Sequence, residues 1–209
     1  MDENIVRAWV EGWAVSRGAA PPVPAPWGFT IDVGQAAQVT RHVLPDTTEA
    51  LLRELSGAIT VPGTTLKVFE APETVAPWLA AGWTFEPPGF LMSTRLRATA
   101  TGVPAGYRLR TWARGGVTRA VVLADDGSFA ARGQVADGLP GTVVVDQVET
   151  SPAHRRRGLA SMVMRTLANV AVDAGVSTGL LGATVEGRAL YEHLGWRAHT
   201  PLTGIYRAP

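Results

Sequence analysis

The residues most able to do chemistry lie where an apolar run meets an amphipathic segment. The run Val143–Val148 is followed, after a turn, by three arginines and a glycine. Free N–H groups and the helix dipole at the start of the next helix attract an anion, and Gly158 and Ala160 leave room for it. Arginine adds donors and positive charge. The junction predicts an anion site formed by Arg155, Arg156, Arg157, Gly158, Leu159, Ala160 and Ser161.

Two ordered motifs point to a family. Written as Arg-x-x-Gly-x-Ala, residues Arg155–Ala160 resemble the pyrophosphate loop of the GNAT superfamily of acyl-CoA-dependent N-acetyltransferases. The string Leu190-Tyr191 followed by Gly195-Trp196 is similar to the superfamily's second signature, Leu-Tyr-x-x-x-Gly-aromatic. The resemblance implies that acetyl-CoA is the co-substrate and that its acetyl group passes directly to the amine of a small molecule or peptide.

The elements around these motifs agree with an α/β (α+β) GNAT fold, in which helices flank a mixed central sheet. Apolar residues at helical spacing follow Gly158, and Gly175 is well placed to end that helix. A strand at Gly179–Ala183 and a helix at Val185–Leu194 come next. Further strands are predicted upstream, at residues 107–112, 119–124, 128–135 and 142–150.

The N-terminal half predicts a partial second unit. A helix at 4–17, strands at 28–33, 38–44, 66–69 and 90–95, and helices near 49–55 and 73–81 are expected. Aligning Gly82-Trp83 with Gly195-Trp196 superposes a strand-helix-strand pattern, which indicates a degenerate repeat. We predict an N-terminal GNAT-like unit at 1–98, a linker at 99–105 and the acetyltransferase domain at 106–209. The first unit lacks the basic glycine loop, so one cofactor site per chain is expected.

One departure affects the acceptor site. GNAT proteins usually carry two helices between their first two strands, whereas only residues 113–118 intervene here. Either the N-terminal half supplies that wall of the acceptor pocket, or the pocket is unusually open.

Catalytic roles follow from the resemblance and from what the reaction needs. An alkylammonium must lose a proton before it attacks a thioester. Asp146 is the first candidate for this base and Glu149 the second; strand alternation puts them on opposite faces unless a bulge intervenes. The resemblance implies that the main chain of Val148, Glu149 and Thr150 pairs with the pantetheine arm and that Tyr191 protonates the leaving thiolate. Glu186 replaces a frequent asparagine on the cofactor side.

Composition narrows the alternatives. The formal net charge is +1, and Lys67 is the only lysine, so no broad basic face argues for nucleic acid. There is no cysteine, and the four histidines lack metal-ligand spacing, so no metal site is predicted. No apolar segment predicts a membrane helix, and a cytoplasmic location is expected. A homodimer stays open, as do two rival functions: a non-catalytic acyl-CoA-binding regulatory domain, and a nucleic-acid patch at the arginines.

Overall fold

A mixed β-sheet runs through the whole protein and carries every helix on its two faces. The computed structural model describes residues 2–208. Along these residues the sheet has the order β1-β2-β3-β4-β12-β6-β11-β10-β9-β8-β7, with β5 paired to β12 off this path. The strands are β1 (Val23–Ala25), β2 (Gly28–Gln35), β3 (Gln38–Leu44), β4 (Thr64–Val68), β5 (Trp83–Phe85), β6 (Gly89–Arg95), β7 (Tyr107–Arg114), β8 (Val117–Ala124), β9 (Phe129–Asp137), β10 (Thr142–Thr150), β11 (Thr178–Thr184) and β12 (Arg197–Arg207). The helices are α1 (Glu3–Arg17), α2 (Glu49–Ala58), α3 (Pro72–Val75), α4 (Leu159–Asp173) and α5 (Val185–His193).

Two strand pairs are parallel, and in each pair a helix connects the first strand to the second. β3 pairs with β4 across α2, and β10 pairs with β11 across α4. The carboxyl ends of β10 and β11 lead directly towards α4 and α5. The amino ends of these two helices therefore meet at one edge of the sheet.

The two halves of the chain exchange strands. β6 lies between β11 and the first part of β12, at Arg197–Leu202. The second part of β12, Thr203–Arg207, pairs with β4 and β5. The pattern β3-α2-β4 in one half therefore matches β10-α4-β11 in the other, with a borrowed strand beside each. This symmetry supports the duplicated organisation of units 1–98 and 106–209, which we keep as a proposal.

Helices cover both faces of the C-terminal part of the sheet. α4 and α5 bury one face, in a core that includes Val143, Val145 and Leu181. α1 buries the opposite face against Val144 and Leu180. A Cβ added at Gly12 of α1 would lie 2.4 Å from a methyl carbon of Val144, so the absence of a side chain there lets the helix approach β10 closely. α1 thus covers the face of the sheet opposite α4 and α5.

The structure confirms the expected mixed sheet flanked by helices and modifies several of the expected elements. The helix predicted for 73–81 is shorter: α3 spans four residues, and a 3₁₀ turn at Ala76–Trp78 follows. Pro77 explains the break, because proline removes a donor and clashes with the preceding turn. No element was expected after Trp196, yet β12 has 11 residues and joins the two halves. Residues 99–105 contain no helix or strand.

Candidate active site

A cleft opens where β10 and β11 separate. Their parallel pairing ends at Val144 and Leu180, although β10 continues to Thr150. A β-bulge between Asp146 and Glu149 shifts the register with β9, and Gln147 adopts a φ of 53° at this point. Bulges bend the strand that carries them. The result is a cavity of about 1080 Å³ at the carboxyl ends of the two strands, bordered by α4 and α5.

The bulge decides which face each side chain of β10 occupies. Val148 packs with the α4 core, opposite the face expected from simple alternation with Asp146. In the register with β9, Asp146 is opposite Gln134 and Glu149 is opposite Arg132. Gln134 and Arg132 are two residues apart on β9. Because alternate residues share a face, Asp146 and Glu149 lie together on the α1 face. Both carboxylates border the cleft.

The basic loop presents a helix start with no side-chain cap. Gly158 is the N-cap of α4 with a φ of 74°, and Arg156 has a φ of 62°. Among the described residues, no side chain caps α4, and its first turn contains no acid. The free N–H groups and positive dipole end thus face the cleft without a competing carboxylate. Left-handed residues near a helix start also help to form a concave anion site.

Six of the seven residues predicted for the loop line the cleft. They are Arg155, Arg156, Gly158, Leu159, Ala160 and Ser161. Arg157 lies away from this wall, where its Nη1 donates to the Tyr107 hydroxyl at 2.8 Å. That hydroxyl lies 3.1 Å from Nδ1 of His154, and the Tyr107 and His154 rings meet edge to face. The contacts tie the loop to β7, and sequence spacing gave no signal for them because Tyr107 is far away along the chain.

Asp146 is held by four donors. Nε and Nη2 of Arg17 donate to its two oxygens at 2.6 and 3.0 Å. The Ser16 hydroxyl donates at 2.8 Å and the Gln147 backbone N–H at 2.8 Å. Arg17 and Ser16 end α1, so Asp146 connects α1 to the bulged strand. Arg17 also lines the cleft. The N-terminal half therefore contributes a residue to the cleft wall.

Glu149 is more accessible than Asp146. Its carboxylate receives one ion pair, from Nη2 of Arg132 at 2.9 Å, and its side chain is 52% exposed, against 15% for Asp146. An exposed ion pair of this kind contributes little stability, so Glu149 can exchange its partner at small cost. Thr150, the last residue of β10, also lines the cleft.

Tyr191 lies on α5 at the inner end of the cleft. It is 8% exposed, and its ring packs 6.2 Å from that of Trp196. Burial raises the pKa of the Tyr191 phenol to about 12, and the charge of Asp146 raises it further in the same direction. Tyr191 is therefore a neutral hydrogen-bond donor at physiological pH. Glu186, exposed in the first turn of α5, lines the cleft nearer its mouth.

Comparison with a family model identifies the family of the chain that carries this cleft. The sequence model described as "Acetyltransferase (GNAT) family" matches residues 86–196, which is just over half of the chain. The chain belongs to the GNAT acetyltransferase family. The matched range begins just before β6 and contains the bulged strand, the basic loop and Tyr191. No curated protein matched the sequence.

Solved GNAT structures share the fold. The chain is similar to a GCN5-related N-acetyltransferase from Kribbella flavida, with 16% identity, a TM-score of 0.65 and coverage of 100% of this chain and 96% of the other. It is similar to a tandem GNAT protein from the clavulanic acid biosynthesis pathway, with 15% identity, a TM-score of 0.54 and coverage of 69% and 65%. A GCN5-related N-acetyltransferase-like protein from Streptococcus suis gives 14% identity, a TM-score of 0.53 and coverage of 81% and 80%.

Neither a metal cluster nor a membrane-spanning helix occurs in the described part of this GNAT protein. Within residues 2–208, no three His, Asp or Glu side chains are grouped closely enough to hold a metal ion. No helix in the same range is long and apolar enough to cross a membrane.

Proposed function

We propose that the protein is an N-acetyltransferase that moves the acetyl group of acetyl-CoA directly to an amine. One observation carries the proposal: the cleft between the separated β10 and β11 ends at the uncapped start of α4. A diphosphate and an extended amide chain are the chemical groups that such a surface binds. Acetyl-CoA, the general co-substrate of the family, contains both.

Binding would divide between the loop and the strand. The N–H groups at Gly158–Ser161 receive the diphosphate, and Arg155 and Arg156 add charge at the cleft wall. The edge of β10 that β11 leaves unpaired, at Val148–Thr150, pairs with the amides of the pantetheine arm. A backbone N–H on this edge is in place to stabilise the oxyanion of the tetrahedral intermediate. Arg157 acts indirectly, by holding the loop against Tyr107.

Glu149 suits the role of base better than Asp146, because the four donors already occupy the Asp146 carboxylate. Glu149 removes one proton from the alkylammonium, and the neutral amine attacks the acetyl carbon. A C–N bond forms, the thioester C=O becomes an oxyanion, and the C–S bond then breaks. Tyr191 donates a hydrogen bond to the departing sulfur and passes its proton on as it takes up the proton that the new amide nitrogen releases. The products are the amide, free CoA thiol and the proton held by Glu149.

Thermal unfolding with and without acetyl-CoA tests the binding step. A ligand at 100 times its Kd stabilises the folded state by about 2.7 kcal/mol, or roughly 5–10 °C for a chain of this size. We expect Arg155→Gln/Arg156→Gln to lose most of this shift. Arg53→Gln is the matched control, because Arg53 is an exposed arginine of α2 paired with Glu49. Absence of any shift in the wild-type protein would contradict the proposal.

Release of CoA thiol across a panel of amines tests the chemistry. Turnover with any amine supports an acetyltransferase. A thermal shift without thiol release for any amine would instead support the regulatory acyl-CoA-binding function. Binding to unrelated nucleic acids that weakens steeply with salt, with no response to CoA, would support the third alternative. The cytoplasmic location and a homodimer stay predictions.

A further inference from the structure

An arginine without an anionic partner is buried near Arg17, a residue of the cleft wall. Arg41 lies on β3, is 7% exposed, and its guanidinium carbon sits 3.6 Å from the centre of the Trp13 ring. Among the described residues, its Nε has no hydrogen-bond partner and no carboxylate lies within ion-pair distance. A buried guanidinium usually finds several acceptors, since desolvating it costs several kcal/mol. Stacking on Trp13 offsets only about 2 kcal/mol of such a cost.

The surrounding charges leave one positive charge in excess. Arg17 is paired with Asp146, and Lys67 with Glu86. Arg41 interacts at longer range with all four of these groups and is the fifth charge of the cluster. Burial lowers the pKa of Arg41 to about 10 and, together with the nearby charge of Arg41, lowers the pKa of Lys67 to about 8. The two ion pairs leave the charge of Arg41 unbalanced within this cluster.

Trp13 connects this cluster to the cleft. The same ring lies 3.6 Å from the guanidinium carbon of Arg41 and 5.7 Å from that of Arg17. Arg17 lines the cleft and binds Asp146, whose charge acts on Tyr191. Arg41 therefore packs against α1, next to the arginine that lines the cleft. The basic loop that would hold the diphosphate forms another part of the cleft wall, at the start of α4.

We propose that the acceptor is an amine that also carries a carboxylate, and that Arg41 binds this carboxylate. The inference rests on the proposed acetyl transfer and names the class of acceptor. A guanidinium stacked on Trp13 keeps its N–H edge free, and that planar edge matches the two oxygens of a carboxylate. One carboxylate would neutralise the single excess charge, whereas a doubly charged phosphate would leave a buried negative charge. Amino acids, including those with the amine and acid further apart, meet this requirement.

Matched acceptors test the proposal. Thiol release is measured with amino acids of increasing amine-to-carboxylate spacing and with the carboxamide of each. We expect the best acid to exceed its carboxamide by on the order of 100-fold in kcat/KM, as for a buried charge pair that loses one partner. Arg41→Gln should abolish this preference, through the KM of the acceptor and without a change in the KM of acetyl-CoA. Arg53→Gln should retain it.

Folding and turnover are controlled separately. Arg41→Gln removes an unpaired buried charge, and Arg41→Lys keeps the charge without the planar edge, so at least one variant is expected to fold. Arg41→Lys should retain a weaker preference for the acid. Titration calorimetry with the same acids and carboxamides, in the presence of CoA, measures their binding even if no acceptor turns over.

The outcomes separate the two proposals. Equal use of acid and carboxamide by the wild-type protein would overturn the role of Arg41 and leave acetyl transfer intact. A preference that survives in Arg41→Gln would do the same. If no acceptor turns over at all, the proposed acetyl transfer is wrong. The carboxylate site is still supported in that case if calorimetry shows that the acids bind, the carboxamides do not, and Arg41→Gln loses the binding. If the acids do not bind either, the carboxylate site is wrong as well.

Discussion

Replacing Tyr191 by Phe separates proton donation from packing at the end of the cleft. The change removes one hydroxyl and keeps the ring that packs against Trp196. The phenol has a pKa raised to about 12, whereas a free thiol titrates near about 8.5. Complete transfer of the proton to sulfur is therefore uphill by roughly 3.5 pKa units, or about 5 kcal/mol. The hydroxyl accordingly acts through a hydrogen bond that strengthens as the thiolate develops and is completed by the proton from nitrogen.

Loss of one such donor costs about 100- to 1000-fold in kcat. We expect Tyr191→Phe to lose about 100-fold in kcat with little change in the KM of acetyl-CoA, because the interaction forms only in the transition state. Since a pKa of about 12 keeps the phenol protonated, the loss should be constant between roughly pH 7 and pH 11. Continuous detection of free CoA thiol measures both parameters.

Tyr206→Phe is the matched control, because Tyr206 lies on β12 and is 37% exposed. Its kinetics should equal those of the wild-type protein. If Tyr191→Phe turns over within about threefold of wild type, or loses activity only through KM, the assigned role is wrong.

Three further predictions concern stability and the loop. Gly12→Ala should destabilise the protein by about 1–3 kcal/mol in urea unfolding, because the new Cβ would lie 2.4 Å from a methyl carbon on β10; Gly57→Ala in α2, with nothing within 4 Å, should not. The folded-state pKa of Lys67 is lowered to about 8, so the unfolded chain binds more protons between pH 8 and 10.5 and stability rises with pH there. Lys67→Met should remove roughly 2–3 kcal/mol of that rise, and an unchanged pH slope would contradict the lowered pKa. Arg157→Gln should reduce the thermal shift by acetyl-CoA no more than Tyr107→Phe does, since Tyr107→Phe removes the same hydrogen bond and also the contact with His154; a larger loss in Arg157→Gln would show that Arg157 acts on the ligand itself.

Local signals in the sequence predicted most of the C-terminal half. The strand at 142–150 and the helix that follows Gly158 have the expected bounds, because an apolar run and helical periodicity are each decided by near neighbours. Most residues of the first motif, and Leu190 and Tyr191 of the second, also line one cleft. Side-chain direction along β10 was harder to predict. The bulge occurs at Gln147, and glutamine is not a residue type that predicts a left-handed backbone conformation.

Contacts between distant segments were beyond the reach of the sequence. Asp146 and Arg17 are separated by 129 residues, and nothing in either segment indicates that α1 lies against β10. The strand pattern at 38–44 did not single out Arg41, whose guanidinium stacks on Trp13 of another element. β12 was missed because Pro201 and Gly204 interrupt its pattern, although pairing with three strands stabilises it.

The exchanged strands set an order for biosynthesis. β12, made after every other element of the sheet, contacts β4, β5 and β6. As the chain leaves the ribosome, β4 and β6 therefore present unpaired edges until these 11 residues emerge. Neither edge finds its partner before β12 emerges, so the nascent chain carries two aggregation-prone edges from the synthesis of β4 and β6 until that point.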